Sequence, residues 1–280
     1  MTLPPFHLHL DVVALVVGLE ALYLLAVTRL RPQVPGAPAA SPRQLLWFTL
    51  GMLSIGAVSV WPVHDVAEDQ LLSVHMTQHL VISMVAPPLL LLGMPPWLLR
   101  RVLAPLPLRW TVRHLARPVA ALVLFNTVIV LSHWPVVVDL TLGSELAHFL
   151  AHAVLFGSAL LMWWPVVDPL PEMPGLSYPG RMLYLFLQSI VPTVPASFLT
   201  FGSSVIYRAY AEAGRVFGID ALGDQRVAGL IMKLVGGAIL WAVIAGIFFR
   251  WFAQEQRSEG WDALEWRELG RDVRSQLSKR

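Results

Sequence analysis

The sequence predicts an all-α fold, a polytopic bundle of about seven transmembrane helices. Hydrophobic residues make up 56% of the 280 residues and charged residues only 14%, and the mean hydropathy is +0.63. A soluble domain of this size needs a more highly charged surface. A bilayer span takes about 20 mostly apolar residues, and runs of that kind recur along the chain, at 9–29, 44–63, 71–93, 118–138, 146–167, 182–206 and 227–250.

These runs place a membrane domain at 1–252, followed by a polar tail at 253–280. The chain start lacks a basic segment and a cleavage site, so we expect the first run to be retained as a span. Prolines inside the third and sixth runs predict kinks. The tail predicts an amphipathic cytoplasmic helix at the membrane surface, with one apolar face formed by Trp266, Leu269, Val273 and Leu277.

Arginine placement predicts the orientation, because basic residues near span ends stay on the cytoplasmic side. The loops after the first and third runs are basic and contain no acid, whereas the alternate loops are acidic or mixed. The N-terminus is therefore predicted outside and the C-terminus in the cytoplasm. The basic residues of those two loops are Arg29, Arg31, Arg43, Arg100, Arg101, Arg109, Arg113 and Arg117.

Cysteine is absent, which excludes disulfides, thiolate metal sites and iron–sulfur clusters. Any metal must then be held by histidine, methionine or carboxylate. The clustering of arginine in loops indicates membrane topology and not nucleic-acid binding.

Eight of the nine histidines fall in the predicted outer half of the bundle. Two His-x-x-x-His pairs open the third and fifth runs, and this spacing puts both imidazoles of a pair on one helix face. Copper and zinc sites need three or four such ligands. The predicted metal ligands are His75, His79, His133, His148 and His152, with His64, Met76 and Asp224 as further candidates.

Copper fits this donor set best, because imidazole and thioether ligands in a thiol-free, extracytoplasmic setting suit that metal. Met76 and Met84 flank His79 in sequence. Zinc also fits, and haem held between two helices is a further alternative. A scaffold in which the histidines only bridge helices stays open, since a single histidine near a span end is usually structural.

Two ionisable residues, Glu20 and Lys233, fall inside apolar runs. An uncompensated charge at that depth costs at least about 2.5 kcal/mol. We therefore expect the two to pair and to close the first span against the seventh, with ion transfer as the alternative role.

Three segments resemble the CtaG-type (caa3-type) cytochrome c oxidase assembly factors, a family of seven-span bacterial membrane proteins. They are HMTQHLVISMVAPPLLLLGMPP at 75–96, HFLAHAVLFGSALLMWWPVVDP at 148–169 and DQRVAGLIM at 224–232. The residues that match these motifs are His75, Met76, Gln78, His79, His148, His152, Asp224 and Gln225.

The resemblance implies a protein that is not an enzyme and that helps to build the haem-copper oxidase in the bacterial plasma membrane. It also implies copper handling at the outer face, with Asp224 as a ligand or as a partner that orients an imidazole. The expected partners are membrane lipid, cytochrome c oxidase subunits and a copper donor protein, and not nucleic acid. A membrane copper transporter and a haem-binding redox protein are the alternatives.

Overall fold

The computed structural model describes residues 4–173, 175–213 and 218–277, with side chains as far as residue 257. Within these residues the regular elements are helical and no β-strand occurs. The α-helices are, in chain order, α1 (Leu10–Leu25), α2 (Pro42–Val58), α3 (Val63–Asp69), α4 (Leu72–Leu80), α5 (Ala86–Gly93), α6 (Pro96–Val102), α7 (Leu106–Leu115), α8 (Pro118–Ser132), α9 (Pro135–Leu142), α10 (Glu145–Val167), α11 (Tyr178–Ile190), α12 (Thr193–Phe201), α13 (Arg208–Glu212), α14 (Ala221–Leu230) and α15 (Gly236–Leu277).

The predicted all-α membrane bundle is confirmed. By length and composition, the described residues contain five continuous helical segments able to cross a membrane, and up to seven if two bent helix pairs each count as one span. The bends are 48° between α2 and α3 and 88° between α7 and α8. Large apolar side chains stay exposed around the bundle, as they would against lipid, including Leu22, Phe149 and Phe249.

The fourth apolar run, predicted as one segment over 118–138, is divided in the structure. Helix α8 ends at Ser132, and α9 begins at Pro135. Proline is favoured in the first turn of a helix, where its missing N–H would have no partner anyway. The break places His133 at the end of α8.

Two prolines explain the π-helical turn Val81–Val85 that joins α4 to α5. The carbonyls of Ser83 and Met84 would accept from residues 87 and 88 in an α-helix, but Pro87 and Pro88 have no amide hydrogen. The indole of Trp163 on α10 donates instead to the Ser83 carbonyl, at 3.0 Å. The predicted proline irregularity is therefore present, and it ties α10 to α4 and α5.

The other predicted irregularity also occurs. Helix α11 ends at Ile190, and α12 begins at Thr193 after Pro192. Helix α15 continues without a break from the apolar seventh run into the tail, as far as Leu277. The apolar face predicted for that tail lies outside the residues whose side chains are described.

The expected pairing of Glu20 with Lys233 is wrong. Thr49 on α2 donates a hydrogen bond to Glu20 Oε1 at 2.6 Å, which links α1 to α2. The ammonium of Lys233 lies over the ring of Phe201, 5.8 Å from its centroid. The two charged residues therefore have different neighbours, because α1 packs on α2 while the segment around Lys233 packs on α4 and α12.

A cluster of apolar side chains between α8, α10, α11 and α15 forms the largest core. Phe125, Met162 and Leu185 are fully buried there. Next to this core, Asn126 donates to Gln188 Oε1 at 2.7 Å, and Gln188 donates to the Tyr184 hydroxyl at 3.1 Å. These polar side chains hold helices together in the middle of the bundle.

Candidate metal centre

The eight histidines predicted for the outer end form one contiguous array. It joins residues from the N-terminal segment, from α3, α4 and α10, and from the end of α8. His114 is the exception, and it hydrogen-bonds to the Trp110 carbonyl on α7. Ring contacts run from His7 to His9, His9 to His64, His64 to His148, His148 to His75 and His152, His75 to His79, and His79 to His133.

Within this array, three groups have one ligand atom from each residue lying within 4.8 Å of the others. We call them the inner cluster (His75, His79, His152), the bridging cluster (His64, Glu68, His148) and the outer cluster (His7, His9, Asp65). The inner cluster is made of imidazoles alone. Each of the other two clusters combines two imidazoles with one carboxylate.

The inner cluster joins one face of α4 to one face of α10. His75 and His79 lie one helical turn apart with ring centroids 4.3 Å apart, as their spacing predicted. His152 faces them from α10, and its Nε2 lies 3.1 Å from His79 Nε2. The Nδ1 atoms of His75 and His79 are buried and have no hydrogen-bond partner.

Unpartnered buried nitrogens are costly, because each has lost water without gaining another contact. Native proteins usually keep such atoms for a reason, and a missing ion is one such reason. The inner cluster is therefore the part of the array with the most unused capacity to bind a ligand.

Glu68 is the centre of the bridging cluster. Its Oε1 lies 3.2 Å from His64 Nε2 and 2.8 Å from His148 Nε2. Gln78 fixes the orientation of His64: its amide nitrogen donates to the Val58 carbonyl and contacts His64 Nδ1, both at 3.1 Å. Nδ1 of His64 is then the acceptor, and Nε2 carries the hydrogen that points to Glu68.

The outer cluster lies where the N-terminal segment crosses α3. His9 Nε2 is 2.9 Å from Asp65 Oδ2. Two contacts of Trp61 hold the segment in place independently of this pair. The Trp61 indole donates to the Pro4 carbonyl at 3.2 Å, and its ring packs edge-on against Phe6 at 5.3 Å.

His133 borders the inner cluster, with its ring centroid 6.3 Å from that of His79. Its Nδ1 lies 2.7 Å from the Ile129 carbonyl. A carbonyl can only accept, so Nδ1 carries the hydrogen and the buried Nε2 presents a free lone pair. That Nε2 has no partner, and this tautomer is the one that binds a metal through Nε2.

Two small cavities adjoin the inner cluster. The first, of about 50 Å³, is lined by residues that include His79, His133 and three methionines, Met76, Met84 and Met232. The second, of about 30 Å³, touches all three inner-cluster histidines together with Met76, His133 and His148. Both volumes suit a water molecule or a single ion.

Comparison with known protein families decides where this chain belongs. The model of the cytochrome c oxidase caa3 assembly factor family (Caa3_CtaG) matches residues 21–254. The chain belongs to this family. No curated protein and no solved structure matches the chain.

In this assembly factor, Asp224 belongs to none of the three clusters. Both carboxylate oxygens bind the start of α4: Leu72 N–H donates to Oδ2 at 2.6 Å, and the Ser73 hydroxyl and N–H donate to Oδ1. The first amides of a helix have no partner within the helix, and a carboxylate there also complements the helix dipole. The structure thus places Asp224 as a cap for the helix that carries His75 and His79.

Gln225, the next residue of the same motif, is also fully hydrogen-bonded. Its Oε1 accepts from Ile206 N–H at 2.7 Å, and its amide nitrogen donates to the Leu199 and Ser204 carbonyls. One turn on, a Cβ added to Gly229 would lie 2.7 Å from the Ala196 carbonyl oxygen. The motif at 224–232 therefore holds α14 close to α4 and α12.

Two tyrosines at the short helix α13 fix further parts of the array, Tyr207 just before the helix and Tyr210 within it. Tyr207 donates to the His133 carbonyl at 3.0 Å, and Tyr210 donates to the Ala67 carbonyl on α3 at 2.7 Å. Burial raises the pKa of both phenols, so both stay protonated and act as donors. They join the end of α8 and helix α3 to the same short helix.

The predicted ligands are thus distributed between clusters. His75, His79 and His152 meet in the inner cluster, while His148 and His64 meet Glu68 in the bridging cluster. Sequence reasoning missed Glu68 and Asp65 as site residues, because acids at a span end looked like loop charges. The signal for Glu68 was its position four residues after His64, which puts both side chains on one face of α3.

Proposed function

We propose that this assembly factor binds copper at the inner cluster and assists its insertion into the haem-copper oxidase. The site would lie at the extracytoplasmic face of the bacterial plasma membrane. Copper is the cargo in this proposal, received from a donor protein and passed to a cytochrome c oxidase subunit. The observation that carries the proposal is the 3.1 Å approach of His79 Nε2 to His152 Nε2 in a partly buried place.

That approach fits two nitrogens that share one ion. With metal–nitrogen bonds of about 2.0–2.1 Å, the nitrogens of a tetrahedral site lie about 3.3 Å apart. His75 completes a three-imidazole set within ligand distance. His133 borders this set, with its ring centroid 6.3 Å from that of His79 and an Nε2 that has no hydrogen-bond partner.

The thioethers favour copper over zinc. Met76 is buried and lines both cavities, and the larger cavity also touches Met84 and Met232. Zinc uses imidazole, carboxylate and thiolate, whereas thioethers together with imidazoles suit copper. Where imidazoles and methionine thioethers lie side by side, copper can be bound by the imidazoles and can leave by exchanging them for thioethers.

The alternatives receive less support. A cavity of about 50 Å³ beside the histidines is far smaller than the several hundred Å³ typical of cofactor pockets, which disfavours haem. The polar residues that would have to continue a transport path inward include Asn126 and Gln188, and these bind each other. Handover at the outer face needs no such path and no catalysis.

The test is copper binding by the protein purified in detergent after copper-replete growth. Wild type is expected to hold copper without a Soret band, and His75→Ala/His79→Ala to lose it. His114→Ala is the matched control, since it removes a histidine that lies outside the array and should leave copper content unchanged. An unchanged content in the double variant would overturn the proposed site.

A second measurement tests the handover itself. In a strain that lacks the chromosomal gene, cytochrome c oxidase activity and the copper content of the oxidase are compared for wild type and for both variants. The proposal predicts that the double variant accumulates as folded protein but does not restore copper in the oxidase. Full restoration would show that the inner cluster has another role.

A further inference from the structure

The histidine array continues well beyond the inner cluster. An ion in the inner cluster is shielded from bulk solvent, because His75 is only 8% exposed and His79 and His152 are partly buried. A binding site for cargo nevertheless needs a way in. The bridging cluster contacts the inner cluster through His148 and His152 and the outer cluster through His64 and His9, and His7 of the outer cluster is exposed.

We propose that the outer cluster is a second metal site, which takes up a divalent copper ion and loads the inner cluster through the bridging cluster. This inference rests on the proposed function. Two imidazoles and one carboxylate form the nitrogen and oxygen donor set that suits Cu²⁺. The ion keeps its charge along this path, so no electron donor or acceptor is required.

The spacing of the clusters supports transfer by exchange of one ligand at a time. The rings of His9 and His64 lie 4.7 Å apart, which joins the outer to the bridging cluster. The rings of His148 and His152 lie 4.2 Å apart, one turn apart on α10, which joins the bridging to the inner cluster. At each junction a ligand of one cluster is in contact with a ligand of the next.

Charge falls along the same direction. Asp65 belongs to the outer cluster, Glu68 to the bridging cluster, and the inner cluster has no carboxylate. Acidic groups at an opening raise the local concentration of cations and the rate at which they bind. The carboxylates therefore favour capture, while the neutral inner cluster favours retention through its imidazoles and the nearby thioethers.

The alternative for the outer cluster is a simple clasp that holds the N-terminal segment on α3. The Trp61 contacts with Pro4 and Phe6 already provide such a clasp. They also provide a matched control: Trp61→Phe removes the indole hydrogen bond and leaves all three outer ligands, whereas His7→Ala/His9→Ala removes two ligands and leaves the Trp61 contacts.

The experiment titrates purified, metal-free protein in detergent with Cu²⁺ and follows the copper EPR spectrum and the rate of uptake. Wild type should show two spectroscopically distinct sites. His7→Ala/His9→Ala should lose the outer signal, still fill the inner cluster at equilibrium, and load it about tenfold more slowly. Trp61→Phe should keep both signals.

Glu68→Gln distinguishes copper uptake at the outer cluster from copper transfer to the inner cluster. It keeps the shape of the side chain and removes its charge, so the outer signal should appear at the wild-type rate while the inner signal grows more slowly. His75→Ala/His79→Ala should keep the outer signal and lose the inner one.

Each result decides something different. Equal copper number and equal loading rate in wild type and His7→Ala/His9→Ala would overturn the path and leave the proposed function intact. Equal losses in Trp61→Phe and His7→Ala/His9→Ala would assign the outer cluster a structural role. A wild-type protein that takes up no copper would overturn the proposed function, and the path with it.

Discussion

Two polar groups near the start of α4 have opposite hydrogen-bonding states. Asp224 and Gln225 on α14 are deeply buried, and each of their side-chain oxygens and nitrogens has a partner in the backbone or in Ser73. In the inner cluster His75 is buried and His79 and His152 are partly buried, yet the Nδ1 atoms of His75 and His79 have no hydrogen-bond partner. Both groups belong to motifs that carry the family resemblance.

The difference separates residues that build the site from residues left free to bind a ligand. A fully satisfied buried network stabilises the fold, whereas an unsatisfied one costs stability until a ligand completes it. Asp224 was a candidate ligand from sequence. Its hydrogen bonds instead place it among the groups that hold α4 in position.

Removing one residue from each group tests this difference most directly. His79→Ala should lower copper affinity by at least about 100-fold, because a ligand is lost from the proposed site. In the metal-free protein it should cost less stability than Asp224→Ala, because it removes one unpartnered buried nitrogen together with the contact between His79 Nε2 and His152 Nε2. Copper titration and thermal unfolding of the same preparation measure both effects, with His114→Ala as the control.

Asp224→Ala should show the reverse pattern. It leaves the amides of Leu72 and Ser73 without their acceptor, at a cost of about 2–3 kcal/mol in the free energy of unfolding. Copper affinity per folded molecule should stay close to wild type. Asp220→Ala is the control, because Asp220 is exposed and its side chain does not cap α14. A large loss of affinity with unchanged stability would return Asp224 to the ligand set.

Gly229→Ala tests the close packing that the same motif produces. The added methyl group would overlap with Thr200 and the Ala196 carbonyl, so we expect a cost of about 1–3 kcal/mol in the free energy of unfolding. Gly237→Ala is the matched control, since nothing lies within 4 Å of a Cβ at that position. Equal stabilities of the two variants would show that α12 and α14 can separate without penalty.

The smallest effect is expected at the contact between α10 and the π-helical turn. Trp163→Phe removes the hydrogen bond to the Ser83 carbonyl, which Pro87 cannot replace, and should cost about 1 kcal/mol. Trp164→Phe is the control, because the Trp164 indole nitrogen is buried without a partner. Thermal unfolding of both variants in detergent should give Trp163→Phe the lower free energy of unfolding.

Much of the fold could be predicted because it depends on local pattern. The length of apolar runs predicts spans, and prolines predict where those spans become irregular, as at Pro87 and Pro192. The break after Ser132 was missed, since a continuous apolar run hides a helix boundary. The pairing of Glu20 with Lys233 was wrong because two charges in a sequence do not reveal which helices pack together.

His75 and His79 share a helix face, as His148 and His152 do, and their spacing in the sequence was enough to predict this because the period of an α-helix is fixed by its backbone. Helix packing in three dimensions was needed to show that His152 meets His79 while His148 meets Glu68, and that Asp224 reaches a helix start 152 residues away in sequence. The register between helices depends on long-range packing, such as Gly229 against α12 and Trp163 against Ser83. That packing places the histidines in three successive clusters instead of one.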